Sequence, residues 1–464
     1  MWRRAFRSLG RWLDDRTGIT SALGPILRHP VPPKTGWWYV FGSATLIAFL
    51  LQVVTGVFLA GAYVPSAGQA YDSLKFISER ALFGRTVRGL HYFGASAMVL
   101  LVGIHAIRTF LMGAFKYPRE MNWLSGVFLL LFTVLMGFTG QLLRWDQNAV
   151  WSVVVGAQQA GRAPGIGRLL AEFTLGGRTL GAATLSRFFA IHVFIVPALI
   201  FGVLGLHLYL VVRHGISEPP VAGRRVDRAG YRAWYHDLLA REGRPFWPDA
   251  AWRDAIFGVL MIAGVLILAL TVGPPKLGQP PDPTIIEAYP RPDWYLLWYF
   301  AVLALLPPGS ESYVIVLAPL AIGLVLLLVP VWNHGERSIR RRPWSALAVV
   351  AIVVMVGSLW IAGERAQWSP QFDPPPLPAA VTAHLPPAAQ EGARLFHVRG
   401  CESCHRIAGQ GGRRGPDLSD VGARLSPERM TLILLRGEGN MPGFASILSP
   451  AQTTALIEFL RTRR

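Results

Sequence analysis

Four histidines inside two long apolar segments are the residues of this chain best suited to bind a redox cofactor. His91 and His105 lie 14 residues apart in one segment, and His192 and His207 lie 15 residues apart in the other. In a helix that rises about 1.5 Å per residue, either separation spans about 21 to 22 Å, so each pair lies near one helix face at two depths. If the two helices face each other, His91 meets His192 and His105 meets His207. Two such bis-imidazole sites, stacked across a bilayer, predict an electron path built on two b-type haems.

Glycines at matching positions support this interpretation. Gly42 and Gly56 are 14 residues apart, and so are Gly126 and Gly140. A residue without Cβ lets a flat macrocycle approach the backbone, so we expect these glycines to lie opposite the haems. The alternative, four packing histidines bonded only to main chain, is costly because ionisable side chains within a bilayer are rare unless they have partners.

The composition is that of a membrane protein. The chain has 464 residues, of which 52% are hydrophobic and 16% charged. Apolar runs of about 20 residues, the length that crosses a bilayer, predict an all-α, seven-span helical bundle. The predicted spans are residues 37–63, 89–113, 122–143, 188–212, 254–272, 312–332 and 345–362. Residues 294–306 are apolar but too short to span, which favours a re-entrant or interfacial helix.

The distribution of basic residues predicts the orientation. The N-terminus is basic before any long apolar run (Arg3, Arg4, Arg7, Arg11 and Arg16), so we expect no cleavable signal peptide and a cytoplasmic N-terminus. The connections that share this side carry further basic residues, namely Lys116, Arg119, Arg224, Arg225, Arg228, Arg337, Arg340, Arg341 and Arg342. The outer connection also holds Arg162, Arg168 and Arg178, which weakens the bias without reversing it. The net charge of +18 is then explained largely by the basic residues on the cytoplasmic side of the membrane, and no nucleic-acid partner is implied.

The last quarter of the chain has a different character. A proline-rich stretch from Asp373 to Pro387 predicts a semi-rigid spacer. The polar segment after it contains Cys401-Glu402-Ser403-Cys404-His405, which holds the only two cysteines of the chain. In C-x-x-C-H the two thiols add to the vinyl groups of a haem and the histidine ligates its iron. A redox dithiol or half of a zinc site is the alternative.

The sixth iron ligand should be a soft sulfur atom. Met441 lies in a turn, Asn440-Met441-Pro442-Gly443, from which it could cover the haem. Met430 is the competitor, but it lies in a helical apolar pattern with Ile433 and Leu434, where methionine is usually a core residue. We therefore expect His405 and Met441 to be the two ligands of the haem iron, in a small all-α domain.

These motifs resemble a known family. Residues 1–362 resemble cytochrome b of the quinol:cytochrome c reductase family, and residues 387–464 resemble a class I monohaem cytochrome c. The phrases RGLHYFGASAMVL, GAFKYPREMNWLSGV, TGQLLRWDQ and LSRFFAIHVFIVP are closest to the plastid and cyanobacterial branch, yet the last three spans are joined to the first four, as in the mitochondrial branch. The resemblance divides the chain into a cytoplasmic segment (1–36), a dihaem four-helix core (37–215), a three-helix part (216–362), a linker (363–386) and a cytochrome c domain (387–464).

The resemblance implies roles for individual residues. His91 and His192 would hold the haem nearer the outer face, and His105 and His207 the haem nearer the cytoplasm. Two arginines, Arg88 and Arg108, match family residues that pair with haem propionates through charge-assisted bonds. Snorkelling of these arginines towards the interface is the alternative.

A second motif, Pro292-Asp293-Trp294-Tyr295, resembles the P-[ED]-W-Y sequence of the outer quinol-oxidation site. Quinol oxidation releases two protons, so a carboxylate beside the ring is needed as an acceptor, and Asp293 is the candidate. The family more often has glutamate, which reaches about 1.5 Å further. A turn with two interfacial aromatic residues is the alternative for this tetrapeptide.

Two departures from the family matter. Val40 stands where the plastid branch has the cysteine of an extra covalent haem, so we expect that haem to be absent. The inner quinone site would then resemble the mitochondrial kind, with Arg213, His214 and Asp254 as possible proton donors. The chain also has no C-x-H-x-G-C motif for a Rieske cluster, so high-potential electrons would need a separate Rieske protein.

The function implied by the resemblance is bifurcated quinol oxidation in a bacterial cytoplasmic membrane, with the C-terminal domain in the periplasm. One electron would pass through the Rieske partner to the tethered c haem and then to a soluble or membrane-bound acceptor. The other would cross two b haems to the quinone pool, in a complex that is dimeric in the family. The rivals are a non-catalytic dihaem electron conduit for another enzyme and a sensory membrane cytochrome.

Overall fold

The structure is a computed structural model of the whole chain. It describes residues 11–464 except positions 20, 22–23, 25–26, 178–179, 282–290, 308–309, 334, 366–373, 413–414, 439–440, 442 and 446. The first three of the N-terminal arginines, Arg178, and Asp373 at the start of the predicted spacer therefore lie outside the described residues.

The described chain is dominated by helices. In chain order those of the membrane part are α1 (Phe41–Ala62), α2 (Ala70–Glu79), α3 (Gly84–Leu111), α4 (Glu120–Leu142), α5 (Gln147–Ala160), α6 (Gly167–Leu175), α7 (Ala182–His214), α8 (Tyr231–Glu242), α9 (Ala251–Thr271), α10 (Leu297–Leu305), α11 (Glu311–Trp332) and α12 (Pro343–Arg365). Seven of them, namely α1, α3, α4, α7, α9 with its preceding turn, α11 and α12, are long and apolar enough to cross a membrane. The predicted all-α, seven-span architecture is confirmed. The apolar stretch predicted to be too short to span is a 3-10 turn, Trp294–Leu296, that continues into α10.

The chain divides into two compact units. The first comprises Met1–Gly140, Ser186–Lys276 and Pro319–Ile352, and the second comprises Gln141–Leu185, Leu277–Ala318 and Val353–Arg464. In the first unit, small residues of α1 let the helices that carry the histidines approach one another. Ala44 and Ala48 are almost fully buried in one cluster with Met98 of α3 and Ile200 of α7. Close approach at small residues is the usual way that membrane helices pack.

Helix α7 is not a uniform α-helix. Residues Ile191–Ile195 form a π-helical turn, closed by the Val196 N–H donating to the Ile191 carbonyl. Pro197 comes next and has no N–H to donate, so the regular ladder is already interrupted at this point. His192 therefore lies in a turn that contains one residue more than an α-helical turn.

The C-terminal domain has its own core. Its helices are α13 (Ala379–Thr382), α14 (Pro387–Val398), α15 (Val421–Arg424), α16 (Pro427–Arg436) and α17 (Pro450–Arg461). Phe396, Leu456 and Phe459 are nearly inaccessible at its centre. Ser449 and Gln452 form a reciprocal capping box at the start of α17, which fixes where that helix begins.

The predicted linker, residues 363–386, overlaps ordered structure at both of its ends. Helix α12 continues to Arg365, and Leu377 is buried in the core of the C-terminal domain.

The strands of the described residues form two short antiparallel pairs. Strand β1 (Pro30–Val31) pairs with β2 (Arg244–Pro245), and β3 (Arg406–Ile407) pairs with β4 (Gln410–Gly411).

Candidate functional site

The structure brings His91 and His192, which the sequence predicts to be partners, close to each other. The ring centroids of His91 on α3 and His192 on α7 are 6.4 Å apart, and the ring planes are 76° apart. Two imidazoles bridged by a single metal ion, with metal–nitrogen bonds of about 2 Å, have a separation of this size. We call these two residues, with Gly56 and Gly140, the first histidine site. His105 and His207, with Gly42 and Gly126, are the second histidine site.

A hydroxyl group bonds the Nδ1 atom of three of the four histidines. Thr55 Oγ1 lies 2.9 Å from His91 Nδ1, Thr139 Oγ1 lies 3.0 Å from His192 Nδ1, and Ser125 Oγ lies 2.9 Å from His207 Nδ1. His105 differs, because its buried Nδ1 has no hydrogen-bond partner among the residues that the structure describes.

The hydroxyls settle which ring nitrogen carries the proton. Each of the three already donates its single proton to a main-chain carbonyl one turn earlier in its own helix, at Leu51, Leu135 or Met121. Since a hydroxyl has one proton, its oxygen accepts the Nδ1–H bond from histidine. The Nε2 lone pair of these three rings is then free for a metal ion.

Each of the four glycines lies against one of the four histidines. A Cβ atom at Gly140 would lie 2.6 Å from Cε1 of His192, and one at Gly56 would lie 3.3 Å from Cε1 of His91. In the second histidine site the corresponding distances are 3.1 Å from Gly42 to His105 and 3.6 Å from Gly126 to His207. A side chain at any of these positions would take space beside the imidazole.

The hydroxyl partners were missed by the sequence argument, although a simple signal marks them. Each occupies the position directly before one of the glycines: Thr55 before Gly56, Ser125 before Gly126 and Thr139 before Gly140. At the fourth glycine the preceding residue is Phe41, which has no hydroxyl, and this is the glycine that faces His105. The residue directly before each glycine thus explains why three of the rings have a hydroxyl partner and why His105 has none.

The two candidate propionate-binding arginines have different surroundings. Arg88 is buried, and its guanidinium donates to Ser78 Oγ at 3.0 Å and to the Pro275 carbonyl at 2.9 Å. The Arg108 guanidinium lies 3.9 Å above the ring of Tyr39, and its buried Nε and Nη2 have no hydrogen-bond partner in the described part of the chain. Unpaired buried donors are costly, so an acceptor belongs beside Arg108.

These features fit a haem in each histidine site. The first site has two imidazoles at the separation of bis-ligation, both with a free Nε2, and a glycine against each ring. The second site has the same glycine arrangement and, in Arg108, unpaired donors for a carboxylate. The structure thus supplies ligands, room and charge for two b-type groups.

The Pro292–Tyr295 motif forms a tight turn at the start of α10. Asp293 precedes the 3-10 turn, and Tyr295 donates from its hydroxyl to Asp293 Oδ2 at 3.0 Å. Burial raises the pKa of Asp293, although the Tyr295 hydroxyl and Arg144 oppose the shift. The rings of Trp294 and Tyr295 pack edge to face, 5.6 Å apart. A carboxyl group with a raised pKa is a suitable proton acceptor at neutral pH.

Polar contacts hold this turn from both sides. Arg291, one residue before Pro292, forms an ion pair with Glu364 near the end of α12. Gln141 Nε2 donates to the Arg291 carbonyl at 3.3 Å. Neither contact was foreseen, because the three residues are far apart in sequence.

The three candidate inner-site residues are not joined by any described hydrogen bond or ion pair. Arg213 is exposed, and His214 uses its carbonyl to accept from Arg119 at 3.2 Å. Asp254 lies in the first turn of α9, where Ser43 is its hydrogen-bond partner. Val40, which replaces the cysteine of the plastid branch, is 2% exposed at the start of α1.

Within the C-x-x-C-H motif, Cys401–Ser403 forms a 3-10 turn, and neither cysteine is in a disulfide bond. His405 bonds the Pro416 carbonyl through Nδ1 at 2.9 Å, which again leaves Nε2 for a metal ion. Met441 packs partly buried against the core of the domain, whereas Met430 is 4% exposed within that core. Met430 is thus a core residue in the structure, and Met441 stays our predicted ligand, although its neighbours at 440 and 442 lie outside the described residues.

A buried carboxylate between the two cysteines was not predicted. Glu402 is 1% exposed, and its Oε2 lies 2.7 Å from Nδ1 of His397 on α14. Burial raises the pKa of Glu402, and the neighbouring His397 opposes that shift. The pair ties the turn at Cys401–Ser403 to α14.

Comparison with known proteins identifies three matching regions. Residues 26–215 match the family model for cytochrome b/b6/petB, and residues 281–372 match that for cytochrome b (C-terminal)/b6/petD. Residues 387–460 match the model for cytochrome c oxidase, cbb3-type, subunit III.

Similar proteins include cytochrome b6 of Heliobacterium mobile, 42% identical over 210 residues, which cover 45% of this chain and 99% of that protein. The menaquinol:cytochrome c reductase cytochrome b subunit of Bacillus subtilis (strain 168) is 38% identical over 216 residues, covering 45% of this chain and 96% of that subunit. Among solved structures, a chain of a hyperthermophilic respiratory Complex III matches with a TM-score of 0.65 and 26% identity, over 76% of this chain and 91% of that one.

Proposed function

Since the chain belongs to the cytochrome b/b6 family, with a C-terminal cytochrome b part and a cytochrome c domain in the same polypeptide, we propose that it is the b and c subunit of a quinol:cytochrome c oxidoreductase. The observation that carries the proposal is the pair of histidine sites, with Nδ1 of three rings bonded to hydroxyls and glycines against all four rings. A reductase of this class needs two redox centres in series between two quinone sites, and a chain with both sites can provide them.

The proposal assigns each part of the chain a task. Residues 37–215 form the dihaem core, residues 216–362 carry the quinol-oxidation turn, and residues 387–464 hold a covalent c haem on Cys401 and Cys404, with His405 and Met441 as iron ligands. The two b haems and the c haem, when bound, supply one-electron redox centres. The N-terminus faces the cytoplasm and the cytochrome c domain faces the periplasm of a bacterial cell.

Quinol oxidation itself falls to the turn at Pro292–Tyr295. Asp293 accepts a proton from the quinol hydroxyl, since burial keeps its pKa above the ordinary range of a carboxylic acid. Tyr295 holds the carboxylate by its hydrogen bond, and Pro292 and Trp294 limit the motion of the turn. The ion pair between Arg291 and Glu364 fixes the turn to the end of α12.

The two electrons of each quinol take different routes. One passes to a separate Rieske protein and then to the cytochrome c domain, which delivers it to a soluble or membrane-bound acceptor. The other crosses the membrane part to reduce quinone at the cytoplasmic side. Because the cytochrome c domain is tethered to the same chain, its effective concentration near the Rieske protein is high. The complex is a homodimer in this proposal.

Low-temperature electron paramagnetic resonance tests the partner. The complex is purified through a tag on this subunit, poised with mild reductant, and examined with and without an inhibitor that mimics quinol at the outer site. We expect a Rieske-type signal that shifts with the inhibitor, and a haemochrome ratio of two b haems to one c haem. Three haems without a Rieske signal in an active preparation would favour the electron-conduit rival, and a second c haem would refute the expectation from Val40.

Asp293→Asn tests the proton acceptor. Only the ionised carboxylate accepts a proton, and burial raises the pKa of Asp293, so the rate of quinol oxidation should rise as pH increases through that raised pKa. In Asp293→Asn this pH-dependent rise should disappear and turnover should fall by about 100-fold, with haem content unchanged. Trp298→Phe, in the adjacent helix α10, is a control for local packing. An unchanged pH profile in Asp293→Asn would remove this residue from the mechanism.

A further inference from the structure

The connection between α4 and α5 lies against the segment that leads to Asp293. Gln141, at the end of α4, donates from Nε2 to the Arg291 carbonyl at 3.3 Å. Six residues later, the main-chain N–H of Gln147 donates to the Gln279 carbonyl at 2.9 Å. This connection is therefore bonded at both of its ends to the chain around the quinol-oxidation turn, and its side chains lie where they can influence that turn.

Arg144 and Asp146 are the only charged residues of this connection, and they form an ion pair. Nε of Arg144 donates to Asp146 Oδ2 at 3.1 Å, and Nη2 donates to the same oxygen. The Asp146 side chain is inaccessible to solvent, and it also accepts from the main-chain N–H groups of Ala149 at 2.9 Å and Gly278 at 3.0 Å. A buried carboxylate with so many donors is fixed in place, so it also fixes the arginine that bonds it.

The charge of Arg144 acts on Asp293 as well. Burial raises the pKa of Asp293, and the Tyr295 hydroxyl and the charge of Arg144 oppose that rise. Arg291, two residues before Asp293, is paired with Glu364. Within the described part of the chain Arg144 forms its ion pair with Asp146 and none with Asp293. The guanidinium thus influences two carboxylates but bonds only one of them.

This arrangement matters for proton transfer. A carboxylate paired directly with an arginine is stabilised in its ionised form, so it is a weak base. A partly buried cation is stabilised by a close anion, so without Asp146 the guanidinium of Arg144 would be drawn towards Asp293. Asp146 supplies a nearer anion that the main chain already holds in place.

We propose that Arg144 is a positioning residue of the outer quinol site, and that Asp146 restrains it so that its charge acts on Asp293 without a direct ion pair. This inference rests on the proposed function, in which Asp293 accepts the quinol proton. Arg144 favours the ionised carboxylate, so that a proton acceptor is present at neutral pH. Asp146 prevents the pairing that would make this acceptor too weak a base. Neither residue exchanges a proton with the quinol.

The test is the pH dependence of quinol oxidation in the purified full-length complex, followed through reduction of its own haems by a short-chain quinol. Arg144→Gln removes the cation, which raises the pKa of Asp293, so the midpoint of the rise in rate should move up by about one pH unit. At a pH below both midpoints, the rate should be about tenfold lower than in the parent protein. In Asp146→Asn, Arg144 pairs with Asp293, so the midpoint should move to lower pH and the maximal rate should fall.

Two further variants separate charge from a general loss of structure. Arg144→Lys keeps the charge, so its midpoint should lie closer to that of the parent protein than the midpoint of Arg144→Gln does. Arg162→Gln is the matched control, because Arg162 is also paired with a carboxylate, Glu311, at 3.5 Å, but does not shift the pKa of Asp293. We expect its midpoint to equal that of the parent. An equal shift in Arg162→Gln would show a general effect of outer-side charge and overturn the inference.

The double variant of Arg144→Gln with Asp146→Asn tests whether Asp146 acts through Arg144. If it does, the double variant should have the midpoint of Arg144→Gln alone. If Asp146→Asn lowers the midpoint equally in both backgrounds, Asp146 acts on Asp293 directly and the inference is overturned. If Asp146→Asn loses its haems, the comparison of Arg144→Gln with Arg144→Lys still decides the role of Arg144.

Other outcomes separate this inference from the proposed function. A parent complex that does not oxidise quinol would refute the proposed function, and a rate that does not rise with pH would refute the role of Asp293. If the parent shows the rise and Asp293→Asn abolishes it, but Arg144→Gln and Asp146→Asn keep the parent midpoint, only the role of Arg144 and Asp146 is refuted.

Discussion

The two histidine sites of the membrane part have the same plan but are finished differently. In the first, both rings donate Nδ1–H to a hydroxyl. A Cβ atom added at Gly140 or Gly56 would lie 2.6 or 3.3 Å from Cε1 of the neighbouring histidine. In the second, only His207 has a hydroxyl partner among the described residues, and a Cβ atom at Gly126 would lie 3.6 Å from its ring. Buried Nε and Nη2 of Arg108, which have no hydrogen-bond partner in the described chain, lie near this site. The first site is thus distinguished by the hydrogen bonds of its histidines, and the second by the charged donors beside it.

This difference predicts an order of redox potentials. A hydrogen bond from Nδ1–H makes the imidazole a more basic ligand, which stabilises ferric iron. Donors beside a carboxylate reduce the effect of its negative charge, which favours ferrous iron. Both effects lower the potential of the haem in the first site relative to that in the second. Electrons would therefore move from the first site to the second.

Substitution of the glycines should separate the sites most strongly. In Gly140→Ala the added methyl group would lie 2.6 Å from His192, whereas in Gly126→Ala it would lie 3.6 Å from His207, an ordinary contact. Overpacking of this kind costs about 1 to 3 kcal/mol. The imidazole of His192 would have to move to make room for the methyl group. We expect Gly140→Ala to lose the haem of the first site, so that haemochrome analysis gives one b haem per c haem instead of two. Gly126→Ala should keep both b haems, and equal losses would mean that the glycines do not set the two sites apart.

Removal of one hydroxyl should have the next largest effect. Thr139→Val takes away the acceptor of His192 Nδ1–H, and loss of such a partner typically costs about 10- to 100-fold in metal affinity. An optical redox titration should show the potential of the first haem rising while that of the second stays constant. Thr133→Val is the control, because Thr133 is also buried on α4 but bonds only the Leu129 carbonyl. A shift of both haems in Thr139→Val would contradict a local effect on one ligand.

The two arginines should separate stability from redox tuning. Arg88→Gln removes hydrogen bonds to Ser78 and Pro275, each worth about 1.5 to 3 kcal/mol for a charged donor. We expect a lower melting temperature, measured by the loss of haem absorbance on heating, than in Arg108→Gln. Arg108→Gln should instead lower the potential of the second haem. If Arg108→Gln were the less stable variant and left that potential unchanged, its guanidinium would be structural.

Periodicity and composition were sufficient to predict most of this architecture. Seven apolar runs predicted seven spanning helices, and the spacing of the histidines predicted that His91 would meet His192, whose rings lie 6.4 Å apart. The spacing of the second histidine pair was harder to interpret. An α-helix turns about 100° per residue, so 15 residues cannot repeat the register of 14. The π-helical turn at Ile191–Ile195 takes up the additional residue, and a single sequence gives little warning of such a turn.

Other features depend on contacts between distant residues. The ion pair between Arg291 and Glu364 has no local sequence pattern. His397 and Glu402 are only five residues apart, but the burial of Glu402 depends on the packing of the whole domain. The boundary of the C-terminal domain is a similar case, because the burial of Leu377 depends on a core formed mainly by residues after 387. By contrast, the hydroxyl before each of three glycines was visible in the sequence and required only the structural offset of one residue to be understood.

Phe41→Thr should have the smallest effect. It would give His105 a hydroxyl partner, so that both rings of the second site would have one, as in the first site. Phe41 occupies the position before Gly42 that threonine or serine fills at the other three glycines. A hydroxyl here could donate to its own helix and accept Nδ1–H of His105, so the potential of the second haem should fall towards that of the first. The gain is offset in part, since Phe41 packs edge to face against Phe257 at 5.7 Å. Phe41→Val, which removes the same ring without adding a hydroxyl, isolates the contribution of the hydrogen bond. A lower potential in Phe41→Thr relative to Phe41→Val would show that one hydroxyl accounts for part of the difference between the sites, and equal potentials would assign that difference to the charge of Arg108 instead.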